Sequence, residues 1–286
     1  MDFFGAFKNS LKYKQAADRQ IDMRNYLMLI TTVFFSLNLF SQEENIQVKL
    51  DSILTEADLM YQYEKSVWNS TDILLSNRKL KKNLGGYIAH HSNDTITVTY
   101  LDKNQKESIA RYSYKFDDFK KPLMTAIGAS ELTSLEKELF EIQGKLINQL
   151  SDSEYNVTIP QDYNPNLVLI KGRDEYRLYI IMGTTETGVI PFGNDYLFKA
   201  NSKGEITYWK KFHSRMIPTL AEFEGQKVTE STHSHLRTTP YITATDICTF
   251  RLYAQYTALK KFSVYSPAIG KYMTYDIESN NIDVEE

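Results

Sequence analysis

Two of the chain's five histidines stand one residue apart in "THSHLRTTPYITATDIC", residues 232 to 248, and Asp246 follows the second by eleven positions. Side chains two apart on a strand point to one face, as two ligands of a single ion require. If the strand ends near His235 and a helix opens near Thr243, the chain can fold back and bring the Asp246 carboxylate to the imidazoles. Two imidazoles and a carboxylate suit Zn²⁺ and leave a fourth position for water, the arrangement of a catalytic rather than a structural zinc. Such an ion lowers the pKa of its water toward neutrality, and a nearby carboxylate can then take the proton. His233, His235 and Asp246 are therefore candidate metal ligands. Helix capping offers a rival account of the second half of the motif. Thr243 is a good N-cap and Asp246 sits at N3, where a carboxylate complements the helix dipole. Capping needs no metal, so the two histidines carry the case for one.

The stretch "HSHLRTTPYITATD" resembles the signature of the JAMM (JAB, MPN+) metalloprotease family, written H-x-H-P, six residues, S-x-x-D. His233 and His235 fall on its two metal histidines, Thr243 on its serine and Asp246 on its metal aspartate. Upstream, "ETGVIPFG" loosely matches the family's glutamate pattern, with Gly188 one place early. The resemblance spans roughly residues 176–276. It implies hydrolysis of a peptide or isopeptide bond by a zinc-activated water in a peptide or protein substrate. Glu186 would be the general base, and Thr243 would donate to the oxyanion, a stabilisation of about 3 kcal/mol. There are departures. Leu236 replaces the family's proline, Thr243 replaces its serine, and strand-like "YRLYIIMGT" stands where the family has a helix. Glu230 and Glu205 are alternative bases.

His213, in "YWKKFHSRMIP", reads as a further ligand, a substrate contact or, as is commoner for an isolated strand histidine, a partly exposed surface residue. His90 and His91 point to opposite faces of a strand and do not suit one ion. Cys248, the only cysteine, falls on the apolar side of the expected helix and reads as a small buried hydrophobe.

The elements that must position these residues show in the pattern. Apolar positions from Ile46 to Trp68 recur with helical spacing, and Asn69–Asp72 reads as a stop and a new N-cap before a second short helix. "GYIAHH", "DTITVTYLD" and "KESIARYSYKF" alternate as three antiparallel strands. Thr133 and Glu136 form a capping-box pattern ahead of a leucine stripe from Leu135 to Leu150. "LVLIKG", "YRLYIIMGT", "DYLFKAN" and "ITYWKKFHSRMIP" read as strands. A helix over about 243–259 follows the metal motif, then a hairpin turning at Ala268–Gly270. The expected class is α/β in the α+β sense: a mixed, largely antiparallel sheet with flanking helices.

A net charge of −3 and a pI near 6.0 argue against nucleic acid as a partner. Arg24, the apolar run from Tyr26 to Phe40 and then Ser41 form a secretory signal pattern. The run is about 15 residues, short of the roughly 20 a span needs, so no transmembrane segment is expected in the mature chain. Residues 1–22 read as an extension ahead of a true start at Met23, 23–41 as the signal peptide, 42–150 as an N-terminal α+β region, and 151–286 as the JAMM-like domain. The expected protein is exported, periplasmic or secreted, and a zinc-dependent peptidase or amide hydrolase. The alternative is a non-catalytic secreted domain that binds metal or a partner.

Overall fold

The computed structural model describes residues 46–286; the signal pattern and the expected start at Met23 lie outside the described residues. The chain divides into two compact units, Met1–Asp51 and Ser52–Glu286. Of the first, residues 46–51 are described and are helical. The expected junction at 150–151 falls inside the second unit, at the end of a helix.

Helix α1 spans 46–76 without a break, so the expected stop at Asn69–Asp72 is not one. The polar residues there are used for packing instead: Ser70 Oγ and Thr71 Oγ1 lie 2.8 and 2.7 Å from the Tyr100 hydroxyl. The break comes at Asn77, whose side chain caps α2 (Arg78–Asn83). Ala57, Met60, Tyr63, Val67 and Leu74 make the buried stripe of α1, the three-to-four spacing of a single-sided helix.

An antiparallel sheet follows: β1 (Leu84–Ser92), β2 (Thr95–Asp102), β3 (Glu107–Lys115) and β4 (Met124–Glu131), in that order. The first three are the expected strands, and β4 is an addition. Helix α3 (Ser134–Gln149) has the expected capping box, with Thr133 and Glu136 bonded reciprocally. Leu139, Ile142 and Leu146 on α3 join Ile88 and Leu101 of the first sheet and Leu178 and Phe198 of the next in one core.

That next sheet runs β5 (Asn164–Lys171), β6 (Tyr176–Gly183), β8 (Tyr196–Ala200), β9 (Ile206–Lys211), all antiparallel. β7 (Val189–Gly193) leaves it to pair with β10 (Met216–Leu220). The single strand expected over "ITYWKKFHSRMIP" is thus two strands of different ladders, with His213 in the bend between them. After the small β11 (Glu222–Phe223) and β12 (Gln226–Lys227) hairpin come β13 (Glu230–Ser234), α4 (Ala244–Ala254), β14 (Lys261–Ser266), β15 (Lys271–Asp276) and β16 (Asn281–Glu285). β13 and β14 are parallel, the other neighbours antiparallel, and α4 is the crossover. The fold is α+β with largely antiparallel sheets. Among the described residues, no helix is long and apolar enough to cross a membrane.

Candidate metal centre

The β13–α4–β14 unit does to the motif what strand and helix geometry demand. His233 lies on β13 and His235 one residue past its end, with the His235 N–H donating to the Tyr265 carbonyl at 3.0 Å, so the ladder still holds it. Their rings share a side, with Nε2 atoms 3.3 Å apart. The chain then turns through Pro240, and Thr243 caps α4. Thr243 Oγ1 accepts from the Asp246 N–H, and Asp246 Oδ2 accepts from the Thr243 N–H at 3.0 Å. This reciprocal cap fixes the Asp246 side chain at the first turn, facing the histidines. Capping and ligation are not rivals here, because the cap aims the carboxylate.

A fourth group arrives from the bend between β9 and β10. His213, His233, His235 and Asp246 are all buried, and one ligand atom from each lies within 4.8 Å of every other. His213 Nε2 is 2.9 Å from His235 Nε2 and 3.4 Å from Asp246 Oδ1. His235 Nε2 is 3.1 Å from Asp246 Oδ2, and His233 Nε2 is 3.7 Å from Asp246 Oδ1. A tetrahedral ion with bonds of about 2.0–2.1 Å needs ligand atoms roughly 3.3–3.4 Å apart. The five separations run from 2.9 to 3.7 Å through both oxygens of Asp246, and the whole set lies within 4.8 Å.

Tautomers sharpen the point. His235 Nδ1 lies 2.7 Å from the Tyr241 carbonyl, which can only accept, so Nδ1 carries the proton. His213 Nδ1 lies 2.6 Å from Asp195 Oδ1 and donates to it. When neutral, each ring presents a bare Nε2 lone pair, and the two lone pairs face one another beside a carboxylate. Asp246 Oδ1 is buried with no hydrogen-bond partner. Donors to the cluster are the Thr243 N–H and hydroxyl on Asp246 Oδ2 and, when its ring is protonated, His213; a cation between the facing lone pairs would satisfy them in the same way. Three imidazoles and one carboxylate gathered within 4.8 Å are a donor set of the kind that suits zinc.

The electrostatics favour an ionised Asp246 and a protonated His213. Burial alone would raise the Asp246 carboxyl, but His213, His235 and His233 hold it well below the ordinary carboxylate range. Burial would lower His213, but the Asp195 and Asp246 carboxylates outweigh it and bring it up to about 9. His233 goes the other way, down to about 4, because burial outweighs Asp246 and its two imidazole neighbours add repulsion. Its ring is pinned among aromatics, with Phe192 at 5.2 Å and Phe262 parallel to it at 6.1 Å.

Around the ligands stands a second set of contacts. Thr245 Oγ1 donates to Asp195 Oδ2, and Thr243 Oγ1 donates to Asp246 Oδ2 at 2.6 Å, so the first turn of α4 holds both carboxylates. The turn carrying Asp195 is locked to the bend carrying His213. The Asn194 N–H donates to the Arg215 carbonyl at 3.1 Å, and the Phe212 N–H to the Asp195 carbonyl at 3.0 Å. Gly193 makes that approach possible: it has φ +86°, and a Cβ there would meet the Arg215 carbonyl oxygen at 2.3 Å.

Of the residues expected in the site, His233, His235 and Asp246 converge and Thr243 lies beside Asp246 as its cap. Glu186 does not join them in the converging group. It is exposed in the loop between β6 and β7, its N–H donating to Thr184 Oγ1 at 3.0 Å. Glu230, at the start of β13, is exposed, and Glu205 pairs with Asn201. His213 is not a surface residue, being only 2 % exposed. Its role and that of Asp195 depend on a strand pairing that local pattern does not reveal, although the Gly193-Asn194 turn signal marks the place. Comparison with protein-family models, with curated proteins and with solved structures finds no match for this chain.

Proposed function

We propose that this protein binds one divalent transition-metal ion, zinc fitting best, through His213, His233, His235 and Asp246, and that the ion's role is structural. The observation that carries this is the convergence of four buried ligand atoms within 4.8 Å of one another, with the Nδ1 protons of two imidazoles fixed from behind. Four protein ligands close the coordination sphere, the arrangement of structural rather than catalytic zinc. The ion would tie the β9–β10 bend to β13 and to the start of α4. Metal analysis of the purified chain tests this, with one equivalent of zinc per chain expected. A chain that carries no metal and takes up none after zinc is supplied to stripped protein would refute it.

A second reading, a zinc-dependent peptidase or amide hydrolase acting on a peptide or protein substrate, draws support from the Asp195–His213 pair. His233, His235 and Asp246 would be the ligands, leaving a position for water. His213, held by Asp195, would be the proton acceptor in place of the distant Glu186. His213→Gln separates the two readings. The hydrolase reading expects retained zinc and lost cleavage of a fluorogenic peptide library; the structural reading expects lost zinc affinity and no cleavage by either protein. Export to the periplasm or beyond rests on the 23–41 signal pattern, and cell fractionation with N-terminal mapping of the native protein tests it.

A further inference from the structure

All eight residues of β4 are exposed. Among the described residues it is the edge strand of its sheet, paired only with β3. From Pro122 to Ser130 it carries no charged side chain, whereas edge strands are commonly protected by charges. Leu123 and Ile127 are 70 % and 60 % exposed. They lie with Thr125 on one face, because strand side chains alternate. Thr125 pairs with Tyr112 and Ile127 with Ala110. This face therefore continues the one on which Tyr112 packs edge-on against Tyr100, which in turn meets α1 at Ser70.

We infer that β4 is a dimerisation edge that pairs antiparallel with β4 of a second copy about a two-fold axis at Thr125. Such an isologous contact places the same patch on both sides, and strand addition supplies its main-chain hydrogen bonds. The register follows from the side chains. Thr125 faces Thr125, Met124 faces Ala126, and Leu123 faces Ile127 twice, so the two most exposed apolar residues of the strand cover each other. Beyond them β4 is bulged. Ser108 pairs with Ser130 but Ala110 with Ile127, so Gly128 and Ala129 together oppose one residue of β3. In the dimer that bulge opposes Pro122, which has no N–H to satisfy. Beyond it, the bend carrying Lys120 and Lys121 ahead of β4 comes toward the Ser130–Glu131 end of the other copy's strand.

Charge supports this partner over an unrelated one. Within the chain Glu131 stands directly across from Glu107, a like-charge pair that costs stability. Among the described residues neither carboxylate is in an ion pair. Lysines from a second copy relieve that repulsion at both ends of the contact.

The test uses the purified full chain, its mass measured by light scattering across a dilution series. The wild type is expected as a dimer, and L123E/I127E as a monomer, or dissociating about tenfold or more readily, with an unchanged circular dichroism spectrum. The charge reversal K120E/K121E should weaken the dimer, and adding E131K should restore it. The register has its own readout. Opposed residues on antiparallel strands have Cα atoms about 4.5–5.5 Å apart, within disulfide range. T125C should therefore cross-link on mild oxidation, and A126C, which faces Met124, should not. The only native cysteine, Cys248, is buried and does not interfere. A wild type that is monomeric throughout would overturn the inference. So would a dimer that survives L123E/I127E with T125C uncross-linked.

Discussion

Asp195 and His213 lie eighteen positions apart, yet Asp195 Oδ1 accepts from His213 Nδ1 at 2.6 Å and thereby turns the far nitrogen of that ring onto His235 Nε2, 2.9 Å away. Neither residue belongs to the motif that first suggests a metal. Together they add a fourth candidate ligand to a three-residue pattern. Asp195 is itself held by Thr245, one residue before the ligand Asp246. One turn of helix thus aims a ligand directly and a second ligand through its neighbour.

Asp195→Asn tests this arrangement. An amide can present its N–H₂ to Nδ1, which favours the tautomer with the proton on Nε2, wrong for ligation. Loss of such a supporting carboxylate typically weakens metal binding by about 10–100-fold. Competition with a chromophoric chelator should show zinc affinity falling by that amount, with Asp246→Asn falling further. Unchanged affinity in Asp195→Asn would remove His213 from the ligand set.

Chelation should cost stability if the ion binds only the folded chain. At free zinc about a hundredfold above the dissociation constant, the linkage contribution is about 2.7 kcal/mol. For a domain of this size each kcal/mol moves the melting temperature by about 2–4 °C. Stripping the metal should then lower the midpoint by roughly 5–11 °C in differential scanning calorimetry. Restoring zinc should recover it, and magnesium, which prefers six oxygen ligands, should not. A midpoint indifferent to both treatments contradicts a structural ion.

What could be read from sequence follows the range of the interactions. The α3 cap at Thr133 and Glu136 is local, and so is the α4 cap at Thr243 and Asp246; both stand as the pattern predicts. The same holds for the facing pair His233 and His235, because period two is enough. For His213 the sequence leaves ligand, substrate contact and surface residue side by side and favours the last, because an isolated histidine carries no periodic signal. The pairing of β7 with β10 across some 25 residues, which pulls the bend inward, is not local. β4 mixes large and small residues on both faces, with no apolar–polar alternation to mark it, and only its ladder to β3 makes it a strand. The expected helix break at Asn69–Asp72 failed for the opposite reason: Ser70 and Thr71 find a partner in Tyr100, and tertiary contact overrode local propensity.

The buried ion pair of the first sheet gives a prediction independent of metal. Arg111 Nε and Nη2 donate to Glu136 at 2.7 and 2.8 Å, and Glu136 also accepts from Thr99 and from the Thr133 N–H. Burial would raise this carboxyl, but Arg111, Thr99 and Thr133 together hold it down to about 2. Its folded pKa is depressed, so the stabilisation is present above the unfolded value of about 4.3 and is lost as pH falls toward 2. Glu136→Gln keeps the shape but leaves Arg111 without its counter-charge. A loss of about 3 kcal/mol is expected in urea unfolding at neutral pH. The gap between wild type and variant should close below about pH 3; a gap constant down to pH 2 would show that the pair contributes no pH-linked stability.

Glu64 should behave with the opposite sign. It is 1 % exposed on the buried side of α1, and burial raises its carboxyl to about 8, with a hydrogen bond from Trp68 opposing only in part. The folded protein therefore prefers the protonated acid. Its favourable contribution is complete below the unfolded pKa of about 4.3 and is lost as pH rises through about 8, when a charge must be carried in the core. Glu64→Gln keeps the volume and the polar edge but cannot ionise. Near pH 5 the variant should unfold within about 1 kcal/mol of wild type. By about pH 9 it should be the more stable of the two by a few kcal/mol, since each pKa unit corresponds to about 1.4 kcal/mol. Urea titrations of both proteins at these two pH values, with zinc held in excess so that the metal centre stays loaded, measure the difference directly. If it is the same at both, Glu64 ionises in the folded chain as it does in water, and the core around α1 must be wetter than its burial implies.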